Sequence, residues 1–529
     1  MVAGLSLLAF VAVFALMAPP GPGLDPDAMS YLGAATSWVH GHGLRIPGAG
    51  WKVADTTAPL KHFPPGYPSA IALGMQGARP AIEAARLVQA GSAAVTVVGV
   101  VLALDAAGST VAGVLAVVLL FVTPAMIIVH ASVLSEPLYL AVVALMTWRL
   151  TRRERTVARP WILGGLAALG MLTRYAGASL VLAAMLDGAW RAGAWRVRLR
   201  QSAIAALVPA VAVGAWLLER SRERSSEVVR TTALYLAGLD RTLLDGAQTV
   251  RAWLAPGLES PGLASVTAMA VVAALAALMV SVLRTRRRAV DDVPTEHAAT
   301  RDVADGASLA HAAAMATGGP DAAPEPLLRA VALLGGTYII VVGASRLLAD
   351  GAIPLDERIL APLGLVLTMG AAHLVVRWAQ EGRWWRRAAV TGALLAWMAG
   401  AVRASGIWVE EYRTDGGDLA SARWRTSVLV TYAATHAEVL YSNQPSAIWF
   451  HTGRAVHDVP EQPDAPTIAA FRDKIARDHG ALLAFSFPDV DMAVTDALVT
   501  GAGLVAVARD STGTVWRMPA DSVARARAH

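Results

Sequence analysis

Residues 86–149 read RLVQAGSAAVTVVGVVLALDAAGSTVAGVLAVVLLFVTPAMIIVHASVLSEPLYLAVVALMTWR and contain only four charged side chains, Arg86, Asp105, Glu136 and Arg149. The stretch divides into apolar runs at 86–104, 111–130 and 133–149, each of about the length a helix needs to cross a bilayer. Similar runs recur at 3–18, 160–173, 177–190, 201–218, 262–283, 327–348, 358–376 and 388–403. The expected fold is a polytopic α-helical membrane protein with about eleven transmembrane helices. An arginine at mid-bilayer is costly, so Arg174 is expected at the tip of a hairpin between two short helices rather than inside one long one.

The whole chain agrees. Its 529 residues are 55% hydrophobic and only 16% charged, with mean hydropathy +0.49, whereas soluble domains carry about 25% charged residues. A soluble multidomain enzyme, a disordered chain and a fibrous one are excluded. The absence of cysteine excludes disulfides, a thiol nucleophile and cysteine-ligated metal sites. The net charge of +5 lies between apolar runs and speaks to topology, not to nucleic acid.

Four basic clusters, around Arg152–Arg159, Arg191–Arg200, Arg284–Arg288 and Arg377–Arg387, fall on one side of the expected bundle. The positive-inside rule makes that side cytoplasmic. Segment 219–260 opposes this assignment with six arginines of its own. Residues 3–18 lack the preceding basic residues of a signal peptide and read as a retained helix with a cytoplasmic N-terminus. Residues 1–403 then form the membrane domain, with a long first outer loop at 19–85 and a disordered cytoplasmic linker at 289–326, rich in small residues, Pro and Gly. Residues 404–529 alternate strand-like runs (Val439–Tyr441, Ala481–Phe487, Leu504–Ala508, Thr514–Met518) with helical ones (Thr467–Asp478, Asp489–Val499). They read as a small C-terminal extracytoplasmic α/β domain.

This topology gathers the unusual polar residues on the outer face: Asp25, Asp27, Lys61, His62, His130, Glu136, Arg174, Arg346, Asp350, Asp356 and Arg358. Carboxylates can take a proton from a hydroxyl, and guanidiniums can hold a phosphate. The set therefore suits group transfer from a lipid phosphate.

Several stretches resemble the GT-C superfamily of integral-membrane glycosyltransferases. They are DPDAMSYLGAATSWVHGHGL (25–44), HFPPGYPSAIALG (62–74), SEPLYLAVVAL, LTRYAGASLVL, DERILAPLGLVL and EVLYSNQPSAIWFHTGR. The likeness is to the bacterial branch with the lipid A aminoarabinose transferases and, more distantly, to protein O-mannosyltransferases, over residues 1–450. It implies inverting transfer of a sugar from a polyprenyl-phosphate donor to a cell-envelope glycan, lipid or protein acceptor at the extracytoplasmic face of the cell membrane. It also implies an essential acidic residue shortly before a tyrosine, matched here by Asp27 ahead of Tyr31. Many members carry an Asp-Glu pair there; this chain has Ala28 after Asp27, with Asp25 as the other carboxylate, so a divalent metal is left open. Arg358 matches a family position near the donor phosphate. Tyr31, with Lys61, His62 and Tyr67 around PPGYP and with Glu136, Arg174 and Arg346, completes the expected substrate-binding set.

Each candidate also has a structural reading. Asp25 before Pro26 is an N-cap with proline at N1, and Asp27 suits the same helix dipole. Ser135 and Glu136 before Pro137 mark a helix start. PPGYP is a turn that starts the next helix. Arg174 can snorkel to headgroups, and Arg346 and Arg358 can pair with Asp350 and Asp356. Trp378, Trp384 and Trp385 read as an interfacial belt. His451 and His457 show no zinc-ligand spacing. A transporter or lipid flippase is the alternative class, but no internal repeat is legible and the charges collect at one face.

Overall fold

The computed structural model describes residues 1–152, 156–190, 194–222, 233–256, 325–380, 383–461, 463–487 and 492–519, with a few isolated positions between 266 and 273. Most of the run 262–283, nearly all of the linker 289–326 and the basic cluster Arg284–Arg288 lie outside these. Only Glu325 and Pro326 of that linker are described, and they open a helix as N-cap and first residue.

Among the described residues eleven α-helices precede the linker: α1 (Val2–Leu16), α2 (Pro26–Val39), α3 (Gly66–Gly74), α4 (Ala81–Ala106), α5 (Thr110–Phe121), α6 (Pro124–Ala131), α7 (Glu136–Thr151), α8 (Arg159–Thr173), α9 (Ala178–Ala189), α10 (Trp195–Ser221) and α11 (Leu239–Leu254). Strands β1 (Arg45–Pro47) and β2 (Thr57–Pro59) form an antiparallel hairpin between α2 and α3. After the linker come α12 (Pro326–Leu348), α13 (Glu357–Gln380) and α14 (Trp384–Thr414). Among the described residues α4, α10, α12, α13 and α14 are each long and apolar enough to cross a membrane, and α5 with α6 makes a sixth if the pair is one span bent by 71°. The chain is a multi-pass, mostly helical membrane protein.

Local chemistry explains the breaks. Pro124 has no N–H to continue the α5 ladder and sits at the first position of α6. The Val122 carbonyl exposed at this bend accepts from Ser405 Oγ of α14 at 2.7 Å. Arg174 is extended (φ −147°, ψ 140°) between α8 and a single 3-10 turn at Tyr175–Gly177 that leads into α9, so two short helices meet at its tip. Helix α7 is buried on nearly every side and packs tightly on α4; a Cβ on Gly99 would come within 2.7 Å of Ala144 Cβ. Small residues at such crossings let helix backbones approach where apolar burial alone gives no drive.

Helix α14 runs unbroken to Thr414, so the expected boundary at residue 404 falls inside it. The chain then forms α15 (Ala422–Arg425), α16 (Val428–Thr435), β3 (Leu440–Ser442), α17 (Pro445–Thr452), β4 (His457–Asp458), α18 (Ala465–Arg477), β5 (Ala481–Phe485), α19 (Ala493–Ala502), β6 (Val505–Asp510) and β7 (Gly513–Arg517). The five-stranded sheet has the order β4-β3-β5-β7-β6, parallel at β4-β3-β5 and antiparallel beyond. Every residue of β5 is buried, as a central strand covered on both faces requires. One face of the sheet belongs to the same continuous core as the membrane helices, through residues such as Ile448, Leu483 and Phe485. The other face makes a second core with α18 and α19.

Candidate active site

The acidic first turn of α2 is set by the backbone before it. Gly23 and Leu24 lie between residues 131–133 and 417–419. Gly23 N–H donates to Ala131 O (3.0 Å), Val133 N–H to Gly23 O (3.0 Å), Leu24 N–H to Gly417 O (3.2 Å) and Leu419 N–H to Leu24 O (3.1 Å). Gly23 has to be glycine here, because a Cβ would stand 2.4 Å from Ser132 Oγ and 2.7 Å from Tyr412 Cε1. This three-way junction holds Asp25 next to the start of α7, where Glu136 is only 1% exposed. Asp25 caps α2, accepting from Ala28 N–H at 3.4 Å, so its N-cap reading and its place in the site hold together.

Arg358, in the first turn of α13, reaches all three carboxylates. Its Nη1 donates to Asp25 Oδ2 at 2.5 Å, its Nη2 to Asp27 Oδ2 at 2.9 Å and its Nε to Glu136 Oε1 at 3.2 Å. Three of the five guanidinium N–H groups are thereby committed, leaving one on each terminal nitrogen. Arg174 adds the second cation: its Nη1 lies 2.6 Å from Glu136 Oε1 and 3.1 Å from Ser135 Oγ. Three carboxylates face two guanidiniums, a net negative cluster. Burial pushes the Asp25 carboxyl up to about 7, against the pull of Arg358 and with the help of the Asp27 and Glu136 charges. Asp27 is the most open of the three, with 36% of its side chain exposed.

Beneath the carboxylates lies an aromatic floor. Tyr31 is held edge-on by Tyr67 (4.9 Å) and tilted against Phe63 (4.9 Å), and the exposed His62 packs on Phe63 (4.8 Å). The Tyr31 hydroxyl is 3.3 Å from Ser135 Oγ. Tyr67 is fully buried, and among the described residues its hydroxyl finds no hydrogen-bond partner. Lys61 is partly buried just before the Pro64–Pro65 turn. Gly66 of PPGYP seats α3 on the end of α8; a Cβ there would be 2.5 Å from the Leu172 carbonyl. The motif therefore braces the hairpin that carries Arg174.

Arg346 is not brought to this cluster. It is 3% exposed and turned toward the start of α11 and the segment before it, donating to Tyr235 O (3.2 Å), Ala237 O (3.0 Å) and Thr242 Oγ1 (3.2 Å). The backbone carbonyls satisfy it where a substrate was expected. Ser132 and Tyr412 lie outside the expected set of site residues, and Ser135, expected only as a helix start, also joins the site. Ser132 Oγ and Tyr412 Oη are 3.0 Å apart, and Gln89 Nε2 donates to the Ser132 carbonyl. Ser132 and Tyr412 are uncharged and far apart in the chain, so no local signal marks them. The carboxylates converge on a guanidinium rather than on an open oxygen cage, and among the described residues no group of three or more His, Asp or Glu is arranged to hold a metal ion.

The fold has known counterparts. ArnT from Cupriavidus metallidurans, solved both in the apo state and bound to undecaprenyl phosphate, superposes with TM-score 0.50 at 14% identity, over 98% of this chain and 98% of that one. The archaeal oligosaccharyltransferase AglB from Archaeoglobus fulgidus, in complex with an inhibitory peptide and a dolichol-phosphate, gives 0.52 at 11% identity, over 95% of this chain and 71% of AglB. The arabinofuranosyltransferase AftD from Mycobacteria gives 0.52 at 15% identity, over 98% of this chain and 41% of AftD. This chain has the GT-C fold. No protein-family model matches it, and no curated protein matches it in sequence. Within this fold the first loop, the start of α7, the α8–α9 tip and the start of α13 together build the charged cluster.

Proposed function

We propose that the chain is an inverting glycosyltransferase, moving a sugar from a polyprenyl-phosphate donor to an acceptor at the extracytoplasmic face of the cell membrane. The same reading takes about eleven spans, with the N-terminus in the cytoplasm and the C-terminal domain outside, from the positions of the basic clusters. The observation that carries the reading is Arg358, which holds three carboxylates while keeping an N–H on each terminal nitrogen for a further anion. The fold relatives bound to undecaprenyl phosphate and dolichol-phosphate support the choice of donor.

In this reading the acceptor hydroxyl oxygen attacks the anomeric carbon as Asp27, the most exposed carboxylate, takes its proton. The bond from that carbon to the phosphate oxygen breaks, and its electron pair leaves with the phosphate. A phosphate is a weak base and needs charge stabilisation rather than a proton donor. Arg358 and Arg174 provide it from fixed positions. Asp25 and Glu136 orient Arg358, and Glu136 with Ser135 orients Arg174. A single displacement inverts the anomeric centre.

The test is transfer of label from a panel of radiolabelled polyprenyl-phosphate sugars in membranes, wild type beside Asp27→Asn. Transfer by the wild type that disappears in a folded Asp27→Asn protein is the expected result. Near-normal transfer by the variant would remove Asp27 as the base. No transfer from any donor by folded wild type would instead favour transport.

A further inference from the structure

Between α2 and α3 the chain runs out as a strap, residues 40–65, whose β1–β2 hairpin grips the C-terminal domain from both sides of its sheet. On one side α17 lies against α2 and β1. Ala447 and Ile448 are buried in the shared core, and a Cβ on Gly48 would stand 3.1 Å from Pro445 Cγ. On the other side Trp51 enters the second core, 8% exposed and edge-on to Phe471 at 5.6 Å. Asp458 N–H donates to Ala49 O at 2.9 Å, closing the backbone over the junction. At its root the strap is locked to α2, because Pro47 Cδ sits where a Cβ on Gly33 would be, 2.4 Å away. Gly33 is less than two turns beyond Asp27 on the same helix.

We infer that Trp51 is a positioning residue for the acceptor side of the site, holding the C-terminal domain and α2 as one wall beside Asp27. The inference rests on the transferase reading. The two cations assigned to the donor phosphate are rooted outside α2, Arg358 on α13 and Arg174 at the α8–α9 tip; Arg358 shares Asp25 and Asp27 with the start of α2, but both cations also hold the buried Glu136 of α7. Asp27 belongs to α2, which is continuous with the strap. Releasing Trp51 therefore loosens what meets the acceptor, while Glu136 still anchors both donor cations.

The experiment uses full-length protein in membranes, comparing wild type, Trp51→Ala and Trp51→Phe. Three readouts are taken: tryptic cleavage after the exposed Lys52, thermal stabilisation by undecaprenyl phosphate, and the fate of label from undecaprenyl-phosphate mannose and undecaprenyl-phosphate arabinose. For Trp51→Ala, cleavage at Lys52 is expected to rise about tenfold and label transferred to membrane acceptors to fall by a similar factor, less than the roughly hundredfold loss that a full 1 Å misplacement of a reacting group brings. Stabilisation by undecaprenyl phosphate should be unchanged, and Trp51→Phe, which keeps a ring in the core, should restore transfer. Unchanged cleavage would overturn the clamp. Faster cleavage with normal transfer, or loss of transfer matched by loss of undecaprenyl phosphate stabilisation, would overturn the acceptor-side role. A wild type that transfers from neither donor, nor from any other of the panel, would sink the transferase reading, and this inference with it, while the cleavage comparison would still report whether Trp51 holds the strap.

Discussion

Replacing Arg358 by methionine keeps an unbranched apolar stem and removes the guanidinium. Three charge-assisted hydrogen bonds are lost, to Asp25, Asp27 and Glu136. Such bonds contribute about 1.5–3 kcal/mol each where both partners are held. The full total is not expected. Asp25 and Asp27, with 17% and 36% of their side chains exposed, regain water when released, and the buried Glu136 keeps Arg174 at 2.6 Å. A loss of about 2–4 kcal/mol in stability follows. Three carboxylates then face a single guanidinium, so Asp25, already pushed up to about 7, moves higher still. Transfer should fall by about 10²–10³, as when one preorganised donor to developing negative charge is removed. Lysine is the informative comparison. It keeps the charge, but a compact ammonium on a flexible stem cannot serve three carboxylates through separate nitrogens. Arg358→Lys should recover part of the stability and little of the transfer. Thermal unfolding in detergent and transfer from labelled donors measure the two. An Arg358→Lys protein that transfers within about threefold of wild type and unfolds at the same temperature would refute the three-way fork.

Four further outcomes follow from the geometry. Glu136→Gln removes the buried partner of Arg174 and should destabilise by about 3–5 kcal/mol, more than Asp27→Asn, in the same unfolding measurement; equal effects would count against a buried ion pair. Asp25 has a folded-state value raised from 3.8 to about 7, so the stability tied to its protonated form is complete below its unfolded value and is lost as pH rises through about 7. Asp25→Asn should abolish that decline between about pH 4 and 7, and an unchanged pH dependence would exclude Asp25 as its source. Gly66→Ala puts a Cβ 2.5 Å from the Leu172 carbonyl and should displace the Arg174 hairpin; normal undecaprenyl phosphate stabilisation in that variant would show that PPGYP does not brace it. Arg346→Met, by contrast, should lower stability while sparing transfer by the protein that remains folded, and a selective loss of transfer would return Arg346 to the site.

Composition and charge exposed much of this fold because the bilayer is a demanding solvent. Apolar runs such as 86–104 and 327–348 correspond to α4 and α12, and a lone arginine at position 174 in an apolar stretch coincides with a break between helices. The end of α14 was not legible, because Arg403, Glu410 and Glu411 end the apolar run while the backbone stays helical to Thr414. Strand β4, two residues long, is too short to leave a pattern. Within the site, Asp25, Asp27, Glu136, Arg174 and Arg358 stood out as charges where charge is expensive, and the structure brings these five together. Arg346 carried the same signal and turned the other way. Position at the end of a span does not tell whether an arginine will meet a substrate or the carbonyls of its own chain.

The junction at Gly23 shows why truncation is a poor probe of this protein. The backbone of residues 417–419 is hydrogen-bonded to Leu24 immediately before Asp25, and Tyr412 reaches Ser132 from the end of α14. Leu419, Trp424, Leu440 and Phe485 share one core with Met29 and Leu32 of α2. Deleting residues 404–529 would expose that core and release one side of the strand pair that sets Asp25. It would also cut the last turns from α14, so loss of activity would say nothing about acceptor choice. Single changes at the far face of the sheet, where the second core is separate, leave the junction intact. They are the perturbations that can divide the chemistry of the carboxylates from the framework that holds them.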